Sequence, residues 1–129
     1  MQHWSACRNN NSRATLEHMN TANHTAEAIE AAAAQLVHTT EKLKFSEKVA
    51  YTYNPLEYAW ALHSEYIHRF AQGQRRILLV GMNPGPWGMA QTGVPFGEIS
   101  FVKEWMHIDG HVKKPAVIHP KKPIEGFNC

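Results

Sequence analysis

Between Thr25 and Lys44, mostly apolar residues recur at spacings of three and four, which is the pattern of an amphipathic helix. Four consecutive alanines at 31–34, the residue with the highest helix propensity, strengthen the prediction. The stripe is thin, and it consists of Ile29, Ala33, Leu36, Val37, Thr40 and Leu43. We expect this stripe to pack on the helix's own domain, and the alternative is a helix that binds a groove on a partner.

A second helix is predicted to begin at Asn54, which can cap it with its side chain. Pro55 suits the first helical position, and Glu57 completes a capping-box pattern. The helix should run to about Gln72 and end at Gly73. The face expected to be buried contains Leu56, Ala59, Trp60, His63, Tyr66, Ile67 and Phe70.

The unbroken apolar run Ile77–Val80 is typical of a strand that is covered on both faces in a parallel sheet. Val49–Tyr53 is a weaker strand candidate. A further short helix is predicted from Glu98 to about His107, with Ile99, Val102, Trp105 and Met106 facing inward. From Asp109 onward, glycine, lysine and three prolines argue against a sustained regular element. Strand and helices together predict the α/β class.

The segment after the predicted strand is unusually rich in residues with special backbone conformations. Positions 81–97 hold five of the eight glycines and three of the seven prolines. Such a loop is stiff and has small side chains, which suits the wall of a site for a flat ligand. Asn83 could orient a water or read an amide-like edge, but Asn-Pro-Gly can also be simple turn chemistry. Phe96 could stack on a ligand or anchor a core.

Composition places weak limits on function. Hydrophobic residues make up 43% of the chain, which is enough for one domain. The formal charge is +2, and the surplus of basic residues lies entirely in 103–129, where Lys113, Lys114, Lys121 and Lys122 stand. This charge gives little indication of a nucleic-acid partner, although the basic segment could contact a DNA backbone.

The sequence gives no support for a secreted disulfide-bonded protein, a membrane protein or a metal-binding protein. The two cysteines form no paired framework, and no signal-peptide core or membrane span is present, so we expect a protein of a reducing compartment that has no membrane partner. His107 and His111 are separated by Gly110 and lack a third ligand, so no metal site is expected. The polar stretch 1–20, with its isolated Trp4, is expected to be a disordered tail, and 21–129 to be the domain.

The segment Gly81–Glu98, GMNPGPWGMAQTGVPFGE, resembles the first catalytic motif of the single-strand-selective monofunctional uracil-DNA glycosylases. The resemblance is long and contiguous, and it extends upstream through Phe45–Glu47 and Tyr53–Trp60. Downstream it continues through Trp105 and His119–Pro123, so that it covers roughly residues 43–129. Trp87 stands where the family is expected to have Phe.

The resemblance implies the N-terminal portion of a three-layer α/β/α fold around a parallel sheet, and an enzyme that hydrolyses the N-glycosidic bond of uracil in DNA. By this resemblance Asn83 would position the attacking water. The backbone of Met82 would help to hold the base, Gly85 would allow its close approach, and Phe96 would stack on the uracil ring. The resemblance implies no cofactor. It also implies uracil-containing DNA as the partner, a monomer and a nuclear location.

The resemblance does not extend to two later parts of the family's site. These are an Asn that reads the uracil edge and a His-Pro-Ser-Pro-type loop whose His stabilises the departing base. His119-Pro120 is followed by Lys-Lys-Pro and aligns with an earlier segment. We therefore expect a truncated version of the fold with little or no activity alone. The alternative is a non-catalytic isoform or fragment that binds DNA or a protein partner.

Overall fold

The computed structural model describes the backbone of residues 10–73 and 75–129 and, within the first helix, the side chains from residue 24 onward. The helices are α1 (Asn10–Thr40), α2 (Pro55–Tyr58), α3 (Trp60–Phe70) and α4 (Met89–Thr92). A five-residue π-helix follows at Phe101–Trp105, and a 3-10 turn at Gly126–Asn128. No strand occurs among these described residues, where the nearest approach is one isolated antiparallel bridge between His119 and Lys122.

The prediction of an α/β fold with a parallel sheet is therefore wrong for the described residues. Ile77–Val80 has no regular secondary structure, and its four residues are 73–86% exposed. Val49–Tyr53 forms no strand either. A strand is held by hydrogen bonds to a neighbour, and a buried parallel strand also needs layers on both faces. Among the described residues no strand pairs with Ile77–Val80 and no helix covers its faces.

Helix α1 is longer than the periodicity predicts. It begins at Asn10, inside the stretch expected to be a tail, and it ends at Thr40 rather than Lys44. Residues 1–9, which include Trp4, lie outside the described residues. Of the stripe, Val37 and Thr40 are half-buried while Leu36 and Leu43 are more than half exposed. The helix thus packs on the domain along one narrow line.

The predicted start of the second helix is confirmed. The side chain of Asn54 accepts a hydrogen bond from the backbone N–H of Leu56 (3.2 Å), with Pro55 at the first turn. The helix is not continuous, however, because Ala59 leaves helical geometry (φ −114°, ψ 26°) and separates α2 from α3. Helix α3 ends at Phe70, and the expected glycine stop at Gly73 has a left-handed φ of +69°.

The core lies between α2–α3 and the chain that follows α4. One cluster joins Tyr58 and Ala59 with Ala90 and Ile124. A second joins residues from α3 and the segment 94–108, which are Leu62, Val94, Val102 and Ile108. Of the helix predicted for 98–107, only Val102 is fully buried, and Trp105 is exposed. The core therefore holds the second half of the 81–98 loop, while the first half projects from it.

Candidate functional site

A groove with a volume of about 1190 Å³ opens between the end of α1 and the glycine-rich loop. Its walls come from residues 79–89, from the chain leading into α2 at 52–57, and from Leu36 and Thr40 of α1. Glu41, Leu43, Phe45, Pro95, Phe96 and Glu98 complete the lining. The volume is somewhat above the range usual for small-ligand pockets, and its mouth is open. It is a cleft large enough for a nucleotide and its neighbours.

The loop is fixed to the core at its C-terminal half. Helix α4 ends at Gly93, whose φ of +71° is left-handed. A Cβ on Gly93 would lie 2.8 Å from both the Cβ and the carbonyl oxygen of Ala59, so only glycine lets the chain approach the α2–α3 junction. The hydroxyl of Thr92 donates to the carbonyl of Gly97 (3.0 Å) and closes the turn.

Two more contacts attach α4 to the helices behind it. The hydroxyl of Tyr58 donates to the carbonyl of Ala90 (2.6 Å), and burial raises the pKa of that hydroxyl. Nδ1 of His63 lies 2.8 Å from the carbonyl of Gly93. Because a carbonyl only accepts, Nδ1 carries the proton. Burial lowers the pKa of His63, and the hydrogen bond to Gly93 partly opposes that shift.

Gln91 joins the loop to the last part of the chain. Its side chain is 1% exposed, and its amide nitrogen donates to the carbonyls of Pro86 and Pro123, each at 2.9 Å. Its amide oxygen accepts from the backbone N–H groups of Glu125 (2.9 Å) and Gly126 (3.1 Å). One buried side chain thus fixes the distance between the groove wall and residues 123–126.

Asn83 lies on the wall of the groove, in its exposed half. Its amide nitrogen donates to the carbonyl of Pro84 (3.2 Å), which orients the carboxamide. The carboxamide oxygen accepts no hydrogen bond from any residue that the structure describes, so it is available to a water or a ligand. The side chain of Met82 is fully exposed, and among the described residues nothing accepts from its backbone N–H.

Phe96 and Gly85 line the same groove. Phe96 is 63% exposed and has a left-handed φ of 55°, so it is not a core anchor. The edge of its ring lies 3.3 Å from the position that a Cβ on Gly81 would take, which leaves the rest of the ring open to the groove. At Gly85 nothing lies within 4 Å of the position of a Cβ. The structure thus places Met82, Asn83, Gly85 and Phe96 around one cavity.

The charges that line the groove are negative. Glu41, Glu57 and Glu98 contribute carboxylates, and no lysine or arginine of the described residues is part of the lining. The hydroxyl of Ser100 donates to Glu98 (2.6 Å), and the N–H groups of Ser100 and Phe101 add two more bonds. These bonds lower the pKa of the Glu98 carboxyl below its ordinary value. The groove therefore favours a neutral group over an anion.

A smaller cavity of about 260 Å³ adjoins the groove and shares Tyr53, Pro55, Asn83, Pro84 and Pro86 with it. Its other lining residues are Ala90, Lys122 and Ile124. Sequence reasoning missed both this cavity and the role of Gln91. Gln91 is a single polar residue in the short helix α4. A helix of this length shows no periodic pattern from which a buried amide could be told from an exposed one.

No group of three or more His, Cys, Asp or Glu side chains among the described residues could hold a metal ion. None of the helices that the structure describes is both long and apolar enough to cross a membrane.

Sequence comparison relates this chain to the DNA glycosylases. Among the proteins that it matches are single-strand selective monofunctional uracil-DNA glycosylases of Bos taurus, Rattus norvegicus and Mus musculus, at 53%, 51% and 50% identity over 88 residues. Each match covers 68% of this chain and 32% of the relative, so the chain spans about a third of the length of these curated relatives. No protein-family profile matches the chain.

The resemblance carried by the Gly81–Glu98 motif is thereby confirmed. Over the matched residues this chain is homologous to the single-strand-selective monofunctional uracil-DNA glycosylases, and it corresponds to part of such a protein.

Proposed function

We propose that the chain carries the first part of a uracil-excision site and acts in base-excision repair of DNA, in the nucleus and as a monomer. The observation that supports this most directly is the shared cavity of Met82, Asn83, Gly85 and Phe96. These are the positions to which the family resemblance assigns the water, the base and the stacking contact. The names of the relatives supply the substrate class.

The proposed reaction breaks the bond between C1′ of the deoxyribose and N1 of uracil. An enzyme reaches this bond by extruding the nucleotide from the stack into its site. The free carboxamide oxygen of Asn83 accepts a hydrogen bond from a water and aims it at C1′. The water's oxygen bonds to C1′, the electron pair of the broken bond leaves on uracil, and the water's proton neutralises the departing base.

The rest of the groove suits a neutral base. The unbonded N–H of Met82 can donate to a uracil carbonyl, on which negative charge develops as the bond breaks. The exposed face of Phe96 can stack on the ring, and the space at Gly85 admits it. The segment Gly81–Glu98 contains no lysine, which is consistent with water as the nucleophile.

The test is release of uracil from a single-stranded oligonucleotide that contains one uracil. We expect Asn83→Ala to lower the release rate by about two to four orders of magnitude, as is usual when a group that positions or activates the nucleophile is removed. Asn128→Ala is the matched control, because Asn128 is exposed and lies outside the groove. An oligonucleotide with thymine at the same position reports the background.

Two results would refute the proposal. Equal release by the parent chain and Asn83→Ala would show that another group, or a contaminant, does the chemistry. No release from folded parent chain would show that this chain is not an enzyme by itself, which would leave the alternative of a non-catalytic isoform or fragment that binds DNA or a protein partner.

A further inference from the structure

We propose that the turn containing Lys121 and Lys122 binds the DNA phosphate next to the extruded uracil nucleotide. The inference deepens the proposed function, because it assigns a place to the sugar-phosphate chain at the same site. It begins with the smaller cavity, which Lys122 lines together with Asn83 and Pro84. Of the described residues, Lys122 is the only one with a cationic side chain that lines either the groove or this cavity.

The distribution of charge separates the two ends of the site. Toward the groove the lining carries the carboxylates of Glu41, Glu57 and Glu98. A phosphodiester there would face like charge, whereas a neutral base would not. A nucleotide whose base enters the groove past Asn83 is therefore most stable with its phosphate toward Lys122.

The turn is fixed rather than loose. The hydroxyl of Tyr53 donates to the carbonyl of Lys122 (3.0 Å) and accepts from the N–H of His119 (2.6 Å), so one side chain holds both ends. The N–H of Lys122 also donates to the carbonyl of His119 (3.1 Å). Inside the turn, the N–H of Lys121 donates to Nδ1 of His119 (3.0 Å).

The turn is also fixed relative to the groove. Gln91 bonds the carbonyls of Pro86, on the groove wall, and Pro123, directly after Lys122. The backbone of the turn is thus held at a set distance from the groove wall, and both lysines are exposed there, with Lys122 lining the cavity that also contains Asn83. A lysine binds phosphate as a flexible point charge, so a fixed backbone with two adjacent lysines can follow a single-stranded backbone without reading its sequence.

Equilibrium binding of a fluorescein-labelled 15-nucleotide single strand, measured by anisotropy over a series of salt concentrations, tests the inference. The strand carries thymine at the central position, so that the measurement does not depend on excision. Each phosphate contact to a single strand contributes about 0.7 to the slope of log K against log salt. Because the turn binds one phosphate, we expect Lys121→Gln/Lys122→Gln to reduce the size of that slope by about 0.7.

The matched control is Lys113→Gln/Lys114→Gln, which removes the same charge from two exposed lysines outside both cavities. It should leave the slope within about 0.3 of the parent value, since the phosphate contacts that set the slope remain. Acetylation of the lysines, read by mass spectrometry with and without the strand, supplies a local measurement. Lys121 and Lys122 should be protected, and Lys113 and Lys114 should not.

Equal loss in both double variants, an unchanged slope in Lys121→Gln/Lys122→Gln, absence of protection, or failure of the parent chain to bind the strand would each overturn the inference. Failure of the proposed function is seen separately, as absence of Asn83-dependent uracil release. A chain that binds through Lys121 and Lys122 but releases no uracil would retain this inference and lose the enzymatic one.

Discussion

At the scale of single residues, Gln91 contributes most to the geometry of the site. Its buried carboxamide makes four hydrogen bonds to backbone groups of Pro86, Pro123, Glu125 and Gly126. No side chain without an amide at its end can offer two donors and an acceptor in this arrangement. Removing the amide would leave several backbone groups short of a partner in a region that excludes water.

We expect Gln91→Met, which conserves volume but removes the amide, to lower the free energy of unfolding by at least about 2 kcal/mol. Urea denaturation followed by circular dichroism measures the loss. Gln35→Met is the control, because Gln35 is exposed on α1 and its substitution should change stability by less than about 0.5 kcal/mol. A loss at Gln91 no larger than that at Gln35 would show that water replaces the amide.

Sequence reasoning reached the site residues only in part. The motif singles out Met82, Asn83, Gly85 and Phe96, and the structure brings them to one cavity, while their chemical roles remain predictions. Gln91 could not be found in this way. Its importance depends on Pro123 to Gly126, more than thirty residues further along the chain, and no local spacing encodes that contact.

At the scale of elements, helix α3 depends on a histidine that must stay neutral. His63 is buried, and its Nδ1–H donates to Gly93 at the end of α4. Burial disfavours the imidazolium and lowers its pKa in the folded chain. The carboxylate of Glu30 on α1 attracts the charged form and offsets this shift in part.

The lowered pKa of His63 predicts that the folded chain loses stability in acid. The unfolded chain takes up the proton near pH 6.5, whereas the folded chain resists it to lower pH. The stability that neutral His63 supplies is thus present above about pH 6.5 and is lost as the pH falls from there toward the lowered pKa. We expect the parent chain to lose more stability between pH 7 and pH 5 than His63→Gln does.

Urea denaturation at several pH values measures this difference. His38→Gln is the control, because His38 is exposed on α1 and its substitution should leave the pH dependence as it is in the parent chain. The same pH dependence in His63→Gln and the parent would contradict the argument.

Helices were predicted from the sequence better than strands. The Asn54-Pro55 start depends on neighbours in the chain, and it is confirmed. The break at Ala59 was not predicted, because Ala59 meets Gly93 from another part of the chain. The strand Ile77–Val80 was predicted from its apolar run. An apolar run alone does not determine which other strand will form hydrogen bonds with it. Among the described residues there is none.

At the scale of the whole molecule, the chain divides into a packed part and a projecting part. The packed part comprises α2, α3, α4 and the segment 94–126, held by two hydrophobic clusters and by Gln91. The projecting part runs from Ile77 to Trp87 and includes Asn83. The groove lies between the two parts and α1, so its shape depends on how the projecting part is held.

The exposed run Ile77–Val80 is also a template for aggregation. Four apolar side chains and unpaired backbone groups can recruit the same run from another molecule, as exposed edge strands do. Arg75 and Arg76 precede the run immediately, and Arg75 is fixed there by donating to the carbonyl of Phe70 (2.8 Å). When two molecules associate through this run, the positive charges of Arg75 and Arg76 in one molecule repel those in the other. These arginines therefore oppose aggregation, as charged gatekeeper residues beside an apolar strand do.

We expect Arg75→Ser/Arg76→Ser to aggregate at a severalfold lower protein concentration than the parent chain, as measured by light scattering. Lys113→Ser/Lys114→Ser loses the same charge away from the run, and it should scatter at the concentration at which the parent does. Equal scattering by both variants would assign the effect to net charge. The two arginines thus protect the molecule from self-assembly through the segment that leads to its candidate site.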